Sequence, residues 1–566
     1  MPLAGGSSTS LQGRLWQRLE GAADQPALSF YRGNELGPWS TFTEIYQRAT
    51  ATAQHLGEEG LRKGDICVVV LPSEELAARV ILGTLLLGAV PLLVAPPALT
   101  GPNSNITRVL GHTVALTKAK LVVAEGQLPF DIEESGVKLL QSVPLTTDGT
   151  VDLLPPHLPK EGDLAALQLT SGTTGLPRIC TWDHRAILAA LAGMRRAMAL
   201  SPEDVCFNWT PLYHDMGLVN NFLLCLTEGV PLALMSPHEF AADPSRWLRG
   251  LSDSRATVTW SPNFGFALAA QRARDESLDG VRLDRVRAFW NAAERIHLST
   301  ILAFAERFAP FGVSLEALKT NFGCAENVGG ATFSDPRGTF VVEHLDPDLL
   351  ADGKAVPTAG NGRSVPVVGV GRPYPGLKVQ IRSPEGQTLP DGVIGEIVLD
   401  SPSRMKGYLG DPDASDQALV GEMLRTGDLG YQRDEEVFWV GRVKERITVS
   451  GRKYDPSDFE ATLLTVPSLR PGRFAAFGVD DEREGTERLV IVAEVIEPLS
   501  RSLEDVRREI RRKVFLDIGV NVGEVLLVSS GSLAKTSSGK RRHNHFRAMY
   551  EEGALQPLEQ STGGWQ

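Results

Sequence analysis

Cysteine is scarce: Cys67, Cys180, Cys206, Cys225 and Cys324 are the only thiols in 566 residues. They are odd in number and form no Cys-x-x-Cys pair, which argues against a disulfide framework or a cysteine-built zinc site and fits a reducing, cytoplasmic setting. Basic charge is also in deficit, 57 Lys and Arg against 69 Asp and Glu for a net charge of −12, so nucleic acid is not expected as a general partner. The first ten residues lack both a basic start and an apolar core, and no signal peptide is expected. One long apolar run, 80–99, would be long enough to span a membrane. Gly83, Gly88, Pro91, Pro96 and Pro97 interrupt it, and Glu74, Glu75 and Arg79 precede it. It reads instead as a buried helix ending near Gly88 and a buried strand over 90–94, with no stable membrane insertion. Internal repeats and long low-complexity tracts are absent.

What remains is an ordinary globular composition, 42% hydrophobic and 22% charged, in a chain too long for one core, so two or more domains are expected. Strand-like runs at 67–71, 92–94, 120–123 and 232–234 alternate with helical stretches at 43–57, 76–88, 186–199 and 244–254. That alternation predicts an α/β fold with parallel-rich sheets. The runs 371–381 and 392–399 read as paired short strands of a small β-barrel-like part. Beyond Gly441 the chain becomes more charged, with helices at 455–465 and 503–514. The expected division is a large domain over 1–442, a smaller α+β domain over 443–552, and a disordered tail over 553–566.

The most telling segment is 170–178: Thr170, Ser171, Gly172, Thr173, Thr174, Gly175, Leu176, Pro177 and Arg178. It follows the apolar stretch 165–169 and precedes the helix expected from His184 to Ala199. Its glycines free the backbone to turn, and its hydroxyls, N–H groups and Arg178 can surround a polyphosphate. The spacing GxxxxGK[ST] is not present, so it is a different kind of phosphate loop. Five further motifs follow in order: Tyr213-His214-Asp215-Met216-Gly217, Asn321-Phe322-Gly323-Cys324-Ala325-Glu326, Leu424-Arg425-Thr426-Gly427-Asp428, Gly441-Arg442-Val443-Lys444-Glu445-Arg446 and Lys535-Thr536-Ser537-Ser538-Gly539-Lys540. Cys324 has no base beside it in sequence and reads as small buried packing rather than a nucleophile.

Together these motifs resemble the adenylate-forming superfamily of acyl-CoA synthetases, adenylation domains and luciferases, over nearly the whole chain from about Leu15 to Tyr550. Pro211-Leu212 before Tyr213, Ser261-Pro262-Asn263-Phe264 and Arg470-Pro471-Gly472 are similar to the wording of its fatty acyl-AMP ligase branch. The resemblance implies activation of a carboxylic, fatty acid with ATP and Mg2+, then delivery to the phosphopantetheine thiol of an acyl carrier protein. No Asp-Ser-Leu attachment motif follows Lys540, so the carrier is expected to be a separate protein. The C-terminal domain is expected to be mobile about Lys444.

By the same resemblance, Thr170 to Arg178 form the phosphate loop, Glu326 with Thr170 holds magnesium, and Phe322 packs on adenine within a segment formed by Gly323, Cys324 and Ala325. Asn291, Ala292 and Ala293 line the adenine pocket, with Ala292 where relatives carry Gly. Asp428 accepts the ribose hydroxyls and Arg442 donates to the ribose or to phosphate. Lys540 serves the adenylation transition state, with Lys535 as its rival. His214 orients the acyl carboxylate beside Tyr213, Met216, Asn263 and Phe264, and Trp209, Trp260 and Phe266 are further candidates to narrow that pocket. Arg178 stands where relatives carry Lys. Forty-five positions separate Glu326 from Gly371, and within them residues 340–356 resemble the insertion that restrains the C-terminal domain from the CoA-using pose. An acyl-CoA ligase is the alternative reading, and a catalytically degenerate scaffold the remote one.

Overall fold

Strands buried on both faces read as unbroken apolar runs, and such runs make the centre of this molecule. The computed structural model describes residues 9–96, 105–126, 128, 136–143, 158–170, 176–358, 364–449, 452–481, 486–499, 501–536 and 540–558. In the larger sheet, Pro26–Arg32, Leu232–Met235, Cys206–Asn208, Val258–Pro262, Ala288–Ala292 and Leu318–Cys324 run parallel side by side. Gly329–Phe333 and Arg372–Pro373 continue it antiparallel. A second sheet places Leu121–Ala124, Ile66–Val70, Val90–Leu93 and Leu164–Leu169 in parallel. The run at 80–99 resolves as expected, into the helix Glu75–Leu86 and the strand Val90–Leu93, with Gly88 between them in the left-handed region at φ +72°. No helix among the described residues is long and apolar enough to cross a membrane.

Local chemistry accounts for the flanking helices. Thr41 and Glu44 form a reciprocal capping box for Phe42–Glu58, and Asp183 accepts the Ala186 N–H to start His184–Ala197. One feature departs from expectation here. The helix begins at His184 as expected, but the strand Ile179–Asp183 before it, antiparallel to Leu164–Leu169, was not expected.

The barrel-like part is an antiparallel sheet of Lys378–Arg382, Gly395–Asp400, Met423–Arg433, Leu419–Val420 and Glu436–Arg442, open rather than closed. The segment resembling an insertion lies over it. Val342–Leu345 pairs with Val365–Val368, and Leu345, Ala355 and Val367 pack on Tyr431, Phe438 and Val440. The Tyr431 hydroxyl donates to Glu343 at 2.8 Å.

From Ile447 onward the chain has cores of its own. Leu469–Asp481, Thr486–Val495 and Val522–Val528 form a three-stranded sheet. Pro456–Leu463 and Leu503–Ile518 cover one face of it and His543–Glu551 the other. The tail expected to be disordered begins packed: Leu555 is buried and the Leu558 N–H donates to Leu527 O at 2.7 Å. Residues 559–566 lie outside the described ones. An apolar residue at 555 and a free strand edge at 522–528 outweighed the polar composition.

Candidate active site

A cavity of about 940 Å³ opens where the carboxyl ends of the large sheet's strands meet the 164–183 hairpin and the C-terminal residues. Carboxyl ends of parallel strands are where open α/β sheets bind ligands, and the volume suits a small-molecule site. Ala292, Ala293, Phe322, Gly323, Cys324 and Ala325 form one wall. Ala293 is held in the left-handed region at φ +73°, a conformation that costs about 1 kcal/mol for a residue with a Cβ. Gly323 is required by packing, since a Cβ there would lie 2.4 Å from Gly329 O. Asn291 is one layer behind this wall, not on it; its Nδ2 donates to Asn263 Oδ1 at 3.2 Å. Burial, then Glu326, raises the Cys324 thiol well above its ordinary value, as suits packing rather than nucleophilic chemistry.

Asp428 faces Arg442 across two antiparallel strands. Its Oδ1 accepts from Arg442 Nε at 3.1 Å and from the Trp439 indole at 3.0 Å. Asp428 in turn raises the Arg442 pKa further, so that guanidinium is permanently charged. Glu326 Oε1 accepts the Tyr408 hydroxyl at 2.8 Å.

Thr170 and Arg178 close the neck of the glycine-rich loop. The Thr170 N–H donates to Arg178 O at 2.8 Å, and the Arg178 N–H donates to Thr170 Oγ1 at 3.1 Å. The Arg178 side chain turns to Asp411 at 3.1 Å and lies 5.2 Å from the Tyr408 ring centroid. Ser171, Gly172, Thr173, Thr174 and Gly175 lie outside the described residues.

Opposite stands His214, whose Nδ1 is 2.7 Å from Asp215 Oδ1. Tyr213, Met216, Asn263 and Phe264 line the same side. Trp209, Trp260 and Phe266 do not narrow it: Trp209 stacks on Phe240, Trp260 on Trp290, and Phe266 packs against Trp247 and Phe304 in the core. Phe266 lies on the opposite face of helix Asn263–Arg272 from Phe264 and Leu268, which line the cavity.

Lys540 enters this cavity from the C-terminal part. Burial and then Arg442 lower its pKa, while Asp215, Glu294 and Asp428 hold the ammonium. Its N–H donates to Thr536 Oγ1 and its carbonyl accepts the Thr536 N–H, both at 2.9 Å, so a threonine again pins a loop neck. Ser537, Ser538 and Gly539 lie outside the described residues. Lys535 Nζ stands 5.7 Å from the Phe264 ring centroid; burial, then Arg541, pushes it down to about 8. Lys444 borders the cavity within the turn 443–445.

Several neighbours were not assigned from sequence. Trp439, Tyr408 and Asp411 orient Asp428, Glu326 and Arg178, and only Trp439, three residues before Arg442, stood near a motif. Glu294, directly after Ala293, was given no role from sequence; its Oε1 accepts the Phe264 N–H at 2.6 Å. Among the described residues no cluster of three or more His, Cys, Asp or Glu could hold a metal. Glu326 and the Thr170 hydroxyl are nonetheless hard oxygen donors on one cavity, the kind of sparse set that suits magnesium shared with phosphate and water.

The pattern of AMP-binding enzymes matches residues 15–409. The long-chain-fatty-acid–AMP ligase FadD26 of Mycobacterium marinum is 31% identical, over 92% of each chain. The fadD25 protein of Mycobacterium tuberculosis, which carries a provisional fatty-acid–CoA ligase name, is 29% identical over 97% of this chain and 99% of its own. Among solved structures, one from studies of fatty acyl-adenylate ligases of E. coli and L. pneumophila superposes with a TM-score of 0.86 at 26% identity, covering 98% of this chain and 99% of that one. On the match over residues 15–409, this chain belongs to the AMP-binding enzyme family.

Proposed function

We propose that this chain activates a fatty acid with ATP to acyl-AMP and passes the acyl group to the phosphopantetheine thiol of a separate acyl carrier protein. The observation that carries the reading is Lys540 lying in the same cavity as Glu326, Asp428 and Arg442, although the four come from distant stretches of chain. In the first step a carboxylate oxygen bonds to the α-phosphorus, the bond to the β-phosphate oxygen breaks, and pyrophosphate leaves. Two anions must approach, so the site's task is to cancel charge and hold the attack in line. Lys540 supplies a mobile charge at the α-phosphate and carboxylate. Asp428 accepts the ribose hydroxyls, Arg442 donates beside it, and Phe322 packs on adenine. His214 orients the carboxylate and is not needed as a base, because that group is already ionised. Magnesium, held by Glu326 with Thr170, would draw charge from the phosphates. In the second step the thiol sulfur bonds to the acyl carbon, AMP leaves, and the thiol proton passes to solvent. The same cavity serving both steps implies that a domain spanning 443–552 turns against 1–442 about Lys444.

Carrier protein rather than CoA is favoured by residues 340–356. They are anchored on the open sheet, and Asp348 reaches across to Arg452 at 2.6 Å. Both partners are largely exposed, so solvent screens this pair and it is a weak restraint by itself. The helix Pro347–Ala351 that carries Asp348 also lies against the strand Arg452–Tyr454. An acyl-CoA ligase is the second reading, favoured by the naming of the fadD25 relative. Purified protein with ATP and a fatty acid is expected to form acyl-AMP and to load a phosphopantetheinylated carrier, with little acyl-CoA. Asp348→Arg should raise acyl-CoA formation about threefold to fivefold without raising the adenylation rate, and Asp348→Arg with Arg452→Asp should return it. Efficient acyl-CoA synthesis by the intact protein would replace the carrier reading with the CoA one.

A further inference from the structure

Next to Glu294 in the cavity wall, Arg295 leaves the large sheet and grips the C-terminal part. Its Nη1 lies 2.5 Å from Asp458 Oδ1, 3.0 Å from Ser457 Oγ and 3.8 Å from Asp455 Oδ1. These three acceptors belong to the cap and first turn of the helix Pro456–Leu463. The contact is sheltered: the side chains of Arg295, Asp458 and Asp455 are 13%, 26% and 7% exposed, against 47% and 63% for Arg452 and Asp348. Arg446 is the other cation facing the two carboxylates. Asp455 is also seated at the join of the two parts, since a Cβ on Gly441 would fall 2.4 Å from its Oδ2.

One turn further along the same helix, Glu460 holds the two residues that flank the catalytic loop's end. Its carboxylate pairs with Arg541 at 3.1 Å and with His543 Nε2 at 2.8 Å, directly after Lys540. His543 in turn faces Glu445, in the turn after Arg442, at 3.3 Å. Two sets of sheltered ion pairs, joined by one helix, therefore connect the wall residue Arg295 to the backbone that carries Lys540.

We infer that Arg295 is a positioning residue for acyl-AMP formation, latching the first turn of helix Pro456–Leu463 so that Lys540 stays in the cavity. This rests on the acyl-AMP reading above. A sheltered charge pair suits such a role better than an exposed one, because removing one partner leaves the others desolvated without compensation. The latch acts only on the pose that places Lys540 on the phosphate. It should therefore leave the second step, which needs another pose, unhindered.

The test compares Arg295→Ala with the double variant Ser457→Ala, Asp458→Asn, which touches only the C-terminal side. Each is assayed for acyl-AMP formation, for transfer from added acyl-AMP to a loaded carrier, and for ATP KM. Adenylation kcat should fall about tenfold to a hundredfold in both, with ATP KM within about threefold and transfer from added acyl-AMP undiminished. Combining the variants should add little, since they break one contact. Arg295→Asp paired with Asp458→Arg should recover at least about tenfold over Arg295→Asp alone. Equal losses in both steps with no recovery by the swap would reduce Arg295 to a structural residue. Adenylation close to wild type in both variants would overturn the latch alone. Wild-type protein that makes no acyl-AMP would instead overturn the functional reading beneath it.

Discussion

Two lysines compete for the same chemistry, and their surroundings separate them. Lys540 has three carboxylates, Asp215, Glu294 and Asp428, pulling on it against burial and Arg442. Lys535 lies over the Phe264 ring with Arg541 opposing its charge. On the proposed reading, the first is placed to meet negative charge as it develops, and the second to border the acyl side. Lys540→Ala should therefore lower the adenylation rate by a hundredfold or more, on the order of 3 kcal/mol, with nucleotide binding retained. Lys535→Ala should keep most of that rate. Pyrophosphate exchange and a nucleotide-binding titration on both variants check this, and near-normal exchange in Lys540→Ala would transfer the role to Lys535. Arg178 shows what motif reading misses at this scale. Its position at the loop neck was legible, but its commitment to Asp411 and Tyr408 was not, because those partners lie more than two hundred residues away.

At the scale of elements, two loops share one device. A threonine at the neck, Thr170 or Thr536, bonds through both its backbone and its hydroxyl to the residue that closes the loop. Loop boundaries are thereby set by hydrogen bonds that turn-forming residues advertise in sequence. The strand Ile179–Asp183 was less legible, since five residues following a Gly/Pro-rich run carry little periodic signal. The turn 443–445 is tied by the Val443 N–H to Gly427 O at 3.0 Å and the Glu445 N–H to Arg442 O at 3.2 Å. Proline at 444 would remove neither bond while locking φ near −65°. Lys444→Pro should thus spare acyl-AMP formation and cripple transfer to the carrier thiol, because on the proposed reading only the second step needs the turn to change. Single-turnover assays of each step check it, and parallel losses in both would argue that the pivot lies elsewhere.

For the whole molecule, three sheltered histidines, His184 buried and His297 and His543 partly so, shape stability against pH. Burial lowers His184 to about 4, and burial with Arg295 and Arg541 lowers His297 to about 3. Both are neutral when folded, whereas the unfolded chain takes up protons below about pH 6.5, so their contribution is present above that pH and is lost as pH falls toward 4. His543 is the reverse case. Burial would lower it, but Glu460 and Glu445 outweigh burial and lift it to about 10. Its stabilisation is present below about pH 6.5 and is lost as pH rises through 10. Tm should therefore peak near neutrality and decline on both sides. His543→Gln should flatten the alkaline limb, and His184→Gln the acid one. An alkaline limb unchanged in His543→Gln would show that Glu460 and Glu445 do not hold a charged imidazole.

The order of motifs, the α/β alternation and the break in the apolar run at Gly88 were all readable from the chain. Each depends on neighbours within about one element, where glycine, proline and apolar period act directly. Asp428, Glu326, Lys540 and His214 could be named because their motifs are local. Only the tertiary structure decided that Asn291 stands behind the wall and that Trp209, Trp260 and Phe266 belong to the core. It likewise decided that the tail begins by packing on Val522–Val528, and that Arg295 joins the distant helix Pro456–Leu463. Those outcomes turn on which face of an element meets which partner, and on charges that find each other only once the apolar surfaces have closed.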